Sequence, residues 1–381
     1  RLDDVTEELH LQALRGRSVF ELSGGEKQKI AFSSAYASDP DVLVFDEPSS
    51  NLDMRSIEEL AKLMRTAKEK GKTILVAEHR TWYLEGIADR AVYLDGGRVA
   101  GSYAMEELAG LTREQRLETG IRPARLDAFD VPRTSASTEL SRSCELHLRD
   151  IAFSYSRRSE RSLFVGDARF GAGRIEMIVG DNGAGKSTLV SVICGLAKEN
   201  RGNIAIDGAS IKARKRLPIS YEVMQEVNHQ LFCDSVEDEV VLGAARPDAS
   251  ALESVFDRMD LRDMRDRHPL TLSGGQKQRC AIAAAVFCGK RVIAFDEPTS
   301  GLDYAHMAQT AELLRELAGT GIFVLVVTHA YELARIIGDR VAEMRGGGVT
   351  AQYALDTAGV SRLRTFFGIG SPFSCRREGG I

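Results

Sequence analysis

The sequence predicts an α/β protein made of two tandem copies of one unit, the first of them truncated at its N-terminus. Three observations lead there: an internal repeat held in one register, apolar strands that alternate with helix-length stretches, and a glycine-rich loop between a strand and a helix in the second copy.

The repeat comes first because it fixes the domain plan. LSGGEKQK at Leu22 to Lys29 returns as LSGGQKQR at Leu272 to Arg279, so Leu22 and Leu272 stand 250 positions apart. VLVFDEPSSNLD (Val42 to Asp53) returns at the same offset as VIAFDEPTSGLD (Val292 to Asp303), and His79 returns as His329. Three motifs in one gapless register exclude coincidental glycine-rich turns. A period this long marks duplicated domains, since solenoid repeats run to about 20 to 50 residues. The counterpart of Lys186 would fall before Arg1, so the first unit is expected to lack everything upstream of its LSGG segment. A start at arginine is itself what a fragment would show. The expected plan is 1–102 for the first unit, 103–142 for a linker, 143–350 for a complete second unit and 351–381 for a tail.

Within each unit, apolar runs of four to seven residues read as strands of a buried parallel sheet. The clearest are Val42 to Phe45, Thr73 to Ala77, Ile175 to Val179, Val292 to Phe295 and Ile322 to Val327. Met105 to Leu117 reads as one short helix. The stretch Pro123 to Ser143, rich in Pro, Ser and Thr and without apolar periodicity, reads as a flexible linker.

Composition narrows the function classes. At 381 residues the chain is long enough for two domains with cores of their own, and a net charge of −5 offers no basic excess for nucleic acid. No apolar run approaches the roughly 18 to 20 residues of a membrane helix, so any membrane role would be peripheral. The six cysteines form no C-x-x-C pair and no metal spacing.

The chemistry-bearing motif is Gly180-Asp181-Asn182-Gly183-Ala184-Gly185-Lys186-Ser187, which fits G-x-x-x-x-G-K-[ST] after the strand Ile175 to Val179 and before the apolar stretch Leu189 to Leu196. It predicts a P-loop NTPase fold. Backbone N–H groups of such a loop close around phosphate oxygens, Lys186 reaches the β- and γ-phosphates, and the Ser187 hydroxyl ligates Mg²⁺. Asp296 and Glu297 end an apolar strand, where open α/β sheets bind ligands. Asp296 is expected to hold Mg²⁺ through water, and Glu297 to orient or deprotonate the attacking water. His329 ends the next strand, and its register with His79 favours a γ-phosphate contact over a packing role. Ser23-Gly24-Gly25 and Ser273-Gly274-Gly275 each open a helix and offer an anion site of backbone N–H groups and a serine hydroxyl.

Together these residues resemble the ATP-binding cassette (ABC) family, over nearly all of 1–102 and 143–350. The resemblance implies tandem ABC-type nucleotide-binding domains that hydrolyse ATP with Mg²⁺. It also implies a head-to-tail arrangement in which Lys186, Ser187, Thr188, Asp296, Glu297 and His329 face Ser23, Gly24 and Gly25 across one ATP. Tyr155, in FSYS, is similar in placement to the family's adenine-stacking aromatic, an ordinary strand tyrosine being the other reading. Gln225 resembles the glutamine that senses Mg²⁺ and couples the site to a membrane partner. The stretch Gln225 to Phe232, ending in Gln-Leu-Phe, and Glu78 in place of threonine before His79 resemble the fused ATPases of energy-coupling factor (ECF) transporters. That likeness implies a transmembrane coupling subunit, a membrane substrate-binding subunit, a place on the cytoplasmic face of the membrane and import of a vitamin or metal ion. At most one complete ATP site per chain is expected. The rival reading is a soluble tandem cassette protein acting on ribosomes, disfavoured by the short linker and acidic charge. A DNA-repair cassette would need a zinc module or coiled coil that the sequence lacks.

Overall fold

The computed structural model describes residues 2–50, 52–129, 144–156, 162–244 and 248–370. Most of the stretch read as a linker, the tail beyond 370 with Cys375, and Asn51 of the S-N-L-D loop lie outside the described residues. The chain divides into two units, one built from residues 2–129, 303–305 and 364–370 and the other from 144–302 and 306–363.

In chain order the first unit carries α1 (Leu2–Glu8), α2 (Gly24–Ala37), β1 (Val42–Asp46), α3 (Met54–Glu69), β2 (Thr73–Ala77), β3 (Arg90–Asp95), β4 (Arg98–Ala104), α4 (Met105–Ala109) and α5 (Arg113–Thr119). β1 and β2 pair in parallel, and β3 and β4 form an antiparallel hairpin. α3 shows why its sequence is helical. Ile57, Leu60, Ala61, Met64 and Ala67 recur at helical spacing and are buried, and Asp53 caps the first turn by accepting from the Ser56 N–H at 2.9 Å. The single helix expected over Met105 to Leu117 is two helices. Gly110 closes α4, and Thr112 with Gln115 makes a reciprocal capping box that starts α5.

The second unit carries β5 (Glu145–Phe153), β6 (Leu163–Gly171), β7 (Ile175–Gly180), α6 (Lys186–Cys194), β8 (Arg201–Ile206), β9 (Ala209–Ser210), α7 (Ala213–Arg216), β10 (Ser220–Val223), α8 (Val236–Val241), α9 (Ala249–Arg258), α10 (Gly274–Phe287), β11 (Val292–Asp296), α11 (Tyr304–Gly319), β12 (Phe323–Val327), α12 (Tyr331–Ile337), β13 (Arg340–Arg345), β14 (Gly348–Ala354) and α13 (Thr357–Phe366). Its main sheet runs β10-β11-β12-β7-β13-β14, parallel except for the last strand. A second, antiparallel sheet runs β6-β5-β8-β9. Leu146, Leu148 and Phe170 from the antiparallel sheet, Leu189 and Ile193 from α6, and Ala294 and Leu325 from the main sheet share one core.

The repeat makes the two units a controlled comparison. Ala294 and Leu325 are fully buried, whereas their counterparts Val44 and Leu75 are 71% and 56% exposed. In the second unit α6 packs on β11 and β12, and β7 pairs with β12. Among the described residues of the first unit, no counterpart of β7 and α6 accompanies β1 and β2.

Candidate nucleotide site

The candidate site of the second unit lies along one edge of the main sheet. Because β10, β11, β12 and β7 are adjacent and parallel, whatever follows their carboxyl ends is gathered in a row. After β7 comes the loop Gly180 to Lys186, after β11 Asp296 and Glu297, after β12 Thr328 and His329, and two residues past β10 stands Gln225.

The loop's glycines answer two backbone demands. Gly180 pairs with Met344 on β13, and a Cβ there would sit 2.6 Å from the Met344 carbonyl oxygen. Gly185 precedes α6 with φ +94°, a conformation that side chains rarely adopt. Asn182, Gly183 and Ser187 are exposed, while Lys186 is buried. Its ammonium donates to the carbonyl oxygens of Gly180 at 2.8 Å and Asp181 at 2.9 Å, so the positive charge lies inside the loop at the N-terminus of α6. Tyr155, just past β5 and 72% exposed, has its hydroxyl 2.9 Å from the Thr188 hydroxyl and packs edge-on with Phe153, which sets an exposed aromatic ring beside the loop's helix.

The Ser187 hydroxyl donates to Asp296. Burial pushes the Asp296 carboxyl above the usual range, and Ser187 and the nearby Lys186 charge counter that. A hydroxyl and a carboxylate in contact, both hard oxygen donors, fit a small divalent cation such as Mg²⁺. Glu297 holds a left-handed backbone conformation, φ 51°, and its N–H donates to the Val327 carbonyl at 3.0 Å. Its Oε2 accepts from the Thr328 hydroxyl at 3.1 Å, and its Oε1 lies 3.7 Å from His329 Nε2. Carboxylate and histidine are both buried, the setting that a water-positioning pair needs.

The first unit repeats this geometry at Glu47, φ 42°, whose Oε1 lies 3.7 Å from His79 Nε2. Its LSGG segment opens α2 with Ser23 as the N-cap. Ser23 Oγ accepts from the Glu26 N–H at 3.3 Å, and the Ser23 N–H donates to Glu26 Oε2 at 2.8 Å. Ser23 and Gly24 are exposed, and Gly25 is buried so close to Ser56 that a Cβ there would meet Ser56 Oγ at 2.3 Å. Ser273 builds the same box with Gln276.

Two groups escaped the motif reading. Thr328 holds Glu297, and the Thr/Glu contrast at positions 328 and 78 was the visible signal for it. Glu222 is a buried acid on β10 whose two oxygens lie 3.2 Å from Ser191 Oγ of α6, and burial raises its carboxyl to about 7, helped by the charge of Asp296. Nothing in the sequence around it signals that. Because the folded state holds this proton more tightly than the unfolded chain, stability is highest below about pH 4.5 with respect to this group and is lost as pH rises through about 7. Glu222→Gln is therefore expected to raise the melting temperature at pH 8, by the equivalent of roughly 2 kcal/mol, and to change it little at pH 5. Equal effects at both pH values would remove the raised carboxyl from the account.

The model of the family described as ABC transporter matches residues 167–300. An AAA-domain model, whose description also names the AbiEii toxin of type IV toxin–antitoxin systems, matches residues 2–79. A Treponema denticola protein named for ABC transporter ATP binding is 43% identical over 357 residues, 92% of this chain and 72% of the relative. YkoD of Bacillus subtilis, whose name provisionally assigns it to HMP/thiamine import as an ATP-binding protein, is 29% identical over 92% of this chain and 68% of its own length. Among solved structures, the archaeal ribosome recycling factor aABCE1, in complex with the ribosomal stalk protein aP1, aligns with TM-score 0.70 at 25% identity over 96% of this chain and 71% of that one. The cbiO1 protein of Clostridium perfringens, part of the ABC transporter complex cbiONQ, aligns with TM-score 0.50 at 27% identity over 58% of this chain and 90% of that one. With the P-loop, the Asp-Glu strand ends and the LSGG helices of both units beside a relative 43% identical over 92% of this chain, the chain belongs to the ABC transporter ATPase family.

Proposed function

We propose that this chain is the energising ATPase of an ECF-type importer, working at the cytoplasmic face of a membrane through partner subunits and driving uptake of a vitamin or a metal ion. The alignment of Gln225, Asp296–Glu297, His329 and the Lys186 loop on four neighbouring strand ends carries the ATPase part of this reading. In it, backbone N–H groups from Gly180 to Gly185, with Lys186, Ser187 and Thr188, bind the phosphates, and Tyr155 stacks on the adenine. Ser187, Asp296 and Gln225 would hold Mg²⁺, which supplies charge neutralisation on the phosphates. Glu297 takes the proton of the attacking water, and His329 contacts the γ-phosphate.

The importer part rests on the kinship with YkoD and cbiO1 and on the surface around and after Gln225. Met224, Phe232 and Leu242 are exposed there, Phe232 by 69%, which suits docking of a membrane subunit. One observation favours a second reading, a soluble tandem cassette protein acting on ribosomes: aABCE1 aligns over far more of the chain than cbiO1 does. That difference follows from domain number, since a single cassette can cover only one unit. The net charge of −5 also offers nothing to ribosomal RNA. Affinity purification of the tagged chain from membranes and cytosol separates the two. Small hydrophobic membrane proteins in the eluate support the importer, and ribosomal subunits in their place overturn it.

We also propose that Ser23, Gly24 and Gly25 contact the phosphates of a bound ATP. Gly24→Asp tests this, because a Cβ at Gly24 meets no neighbouring heavy atom within 4 Å. A carboxylate at this helix N-terminus would repel phosphate, and turnover is expected to fall by about a hundredfold or more. Unchanged turnover would remove Ser23, Gly24 and Gly25 from ATP binding.

A further inference from the structure

We propose that Thr328 is a positioning residue for Glu297, and that the first unit has exchanged this support for a different network, so that the two units are chemically unequal. The inference rests on the reading of Glu297 as the group that acts on water. In the second unit the Ala330 N–H donates to Thr328 Oγ1 at 2.9 Å and occupies an acceptor site of that oxygen. The hydroxyl proton is then directed to Glu297 Oε2, 3.1 Å away. One fixed donor on one carboxylate oxygen sets the rotamer of Glu297 and keeps its other oxygen toward His329.

The matching position of the first unit is Glu78, and a carboxylate has no proton to give. Its Oε1 accepts from the His79 and Arg80 N–H groups at 2.9 and 3.0 Å. Its Oε2 accepts from the Ser49 N–H at 3.2 Å and the Tyr83 hydroxyl at 2.9 Å. Two further exchanges make this network whole. Arg80 replaces Ala330 and, buried, directs its guanidinium to the Ser49 and Leu52 carbonyls at 3.5 and 3.3 Å. Tyr83 replaces Leu333, and burial with the neighbouring Glu78 charge holds its hydroxyl firmly protonated as a donor. The backbone carrying the two acids is the same, for the Glu47 N–H donates to Ala77 as that of Glu297 does to Val327. What differs is the side chain beneath. Among the described residues no hydroxyl donates to the Glu47 carboxylate, and a second carboxylate occupies the place from which one would. Glu78, Arg80 and Tyr83 hold the loop before His79 to the Ser49 turn and leave Glu47 without its positioning donor.

The test uses the full chain and separates kcat from KM for ATP. Thr328→Val is expected to lower kcat about tenfold, the loss of one hydrogen bond to a charged group, with KM and ATP binding within about twofold of wild type. Thr328→Ser is expected to recover most of the loss. The combined variant Thr328→Glu, Ala330→Arg, Leu333→Tyr, which supplies the whole first-unit network, is expected to bind ATP and to turn over no faster than Thr328→Val. A wild-type kcat in Thr328→Val or in the combined variant, while Glu297→Gln is inactive, overturns the positioning role alone. Full activity in Glu297→Gln overturns the underlying reading of Glu297 and this inference with it.

Discussion

Lys186→Ala is expected to abolish nucleotide binding at the second unit's site and to reduce ATP turnover by at least about a hundredfold, the usual scale for removing a charged clamp on transferring phosphoryl groups. The structure explains why so much depends on one side chain. Lys186 is the first residue of α6, its ammonium is buried, and its present partners are the carbonyl oxygens of Gly180 and Asp181. Those carbonyls fix the charge at the centre of the loop before any phosphate arrives, so little reorganisation is needed on binding. Lys186→Arg keeps the charge but places a planar fork where a compact ammonium sits between two carbonyls, and it is expected to restore little. Alanine also leaves the two carbonyls without this donor, at a cost of about 1 kcal/mol each, so the melting temperature should be recorded beside the activity. Calorimetric titration with ATP checks the result. Wild-type affinity in the alanine variant would remove the loop from phosphate binding.

The parallel sheet and its edge were legible because they are written in continuous apolar runs that end in unusual residues. Val292 to Phe295 followed by Asp296 and Glu297, and Ile175 to Val179 followed by the glycine loop, need no tertiary information to be placed. The strand over Thr73 to Ala77 has the expected bounds, β1, β7 and β11 each run one residue further, and Ile322 falls outside β12. The antiparallel sheet was less visible. Arg149 and Asp150 interrupt the alternation of β5, where Asp150 adopts φ 49° and the pairing with β8 shifts register. The helix over Met105 to Leu117 was read as continuous because Gly110 and Thr112 are small departures from a helical composition, and only the capping geometry breaks it. In the site, residues named by motif were legible one by one, but what holds them was not. Glu222 owes its raised carboxyl to burial between β10 and α6, a property of packing rather than of neighbours in sequence. Thr328 acts through a hydrogen bond to a residue 31 positions away.

Glu297→Gln is expected to separate binding from hydrolysis, leaving ATP affinity near wild type and lowering turnover by about a hundredfold or more, the upper range for loss of a general base. The amide is nearly isosteric with the carboxylate, and its oxygen can still accept from Thr328. It also leaves intact the loop that the Glu297 N–H ties to Val327. What disappears is the negative charge and the basicity beside His329. Glu297 is nearly wholly buried, where a charge acts on a bound water with little screening, so its removal should be felt almost entirely in kcat. The matching change Glu47→Gln provides the contrast within the same chain. Glu47 has the same backbone conformation and the same 3.7 Å approach to its histidine, but its side chain is 40% exposed and has Glu78 where Glu297 has Thr328. Its replacement is expected to change turnover by less than about threefold, since a carboxylate without a positioning donor orients water poorly. Both variants are read by single-turnover hydrolysis with equilibrium ATP binding beside it. Equal losses at Glu47 and Glu297 would make the two units equivalent in chemistry, whereas loss at Glu297 alone assigns hydrolysis to the second unit's carboxylate.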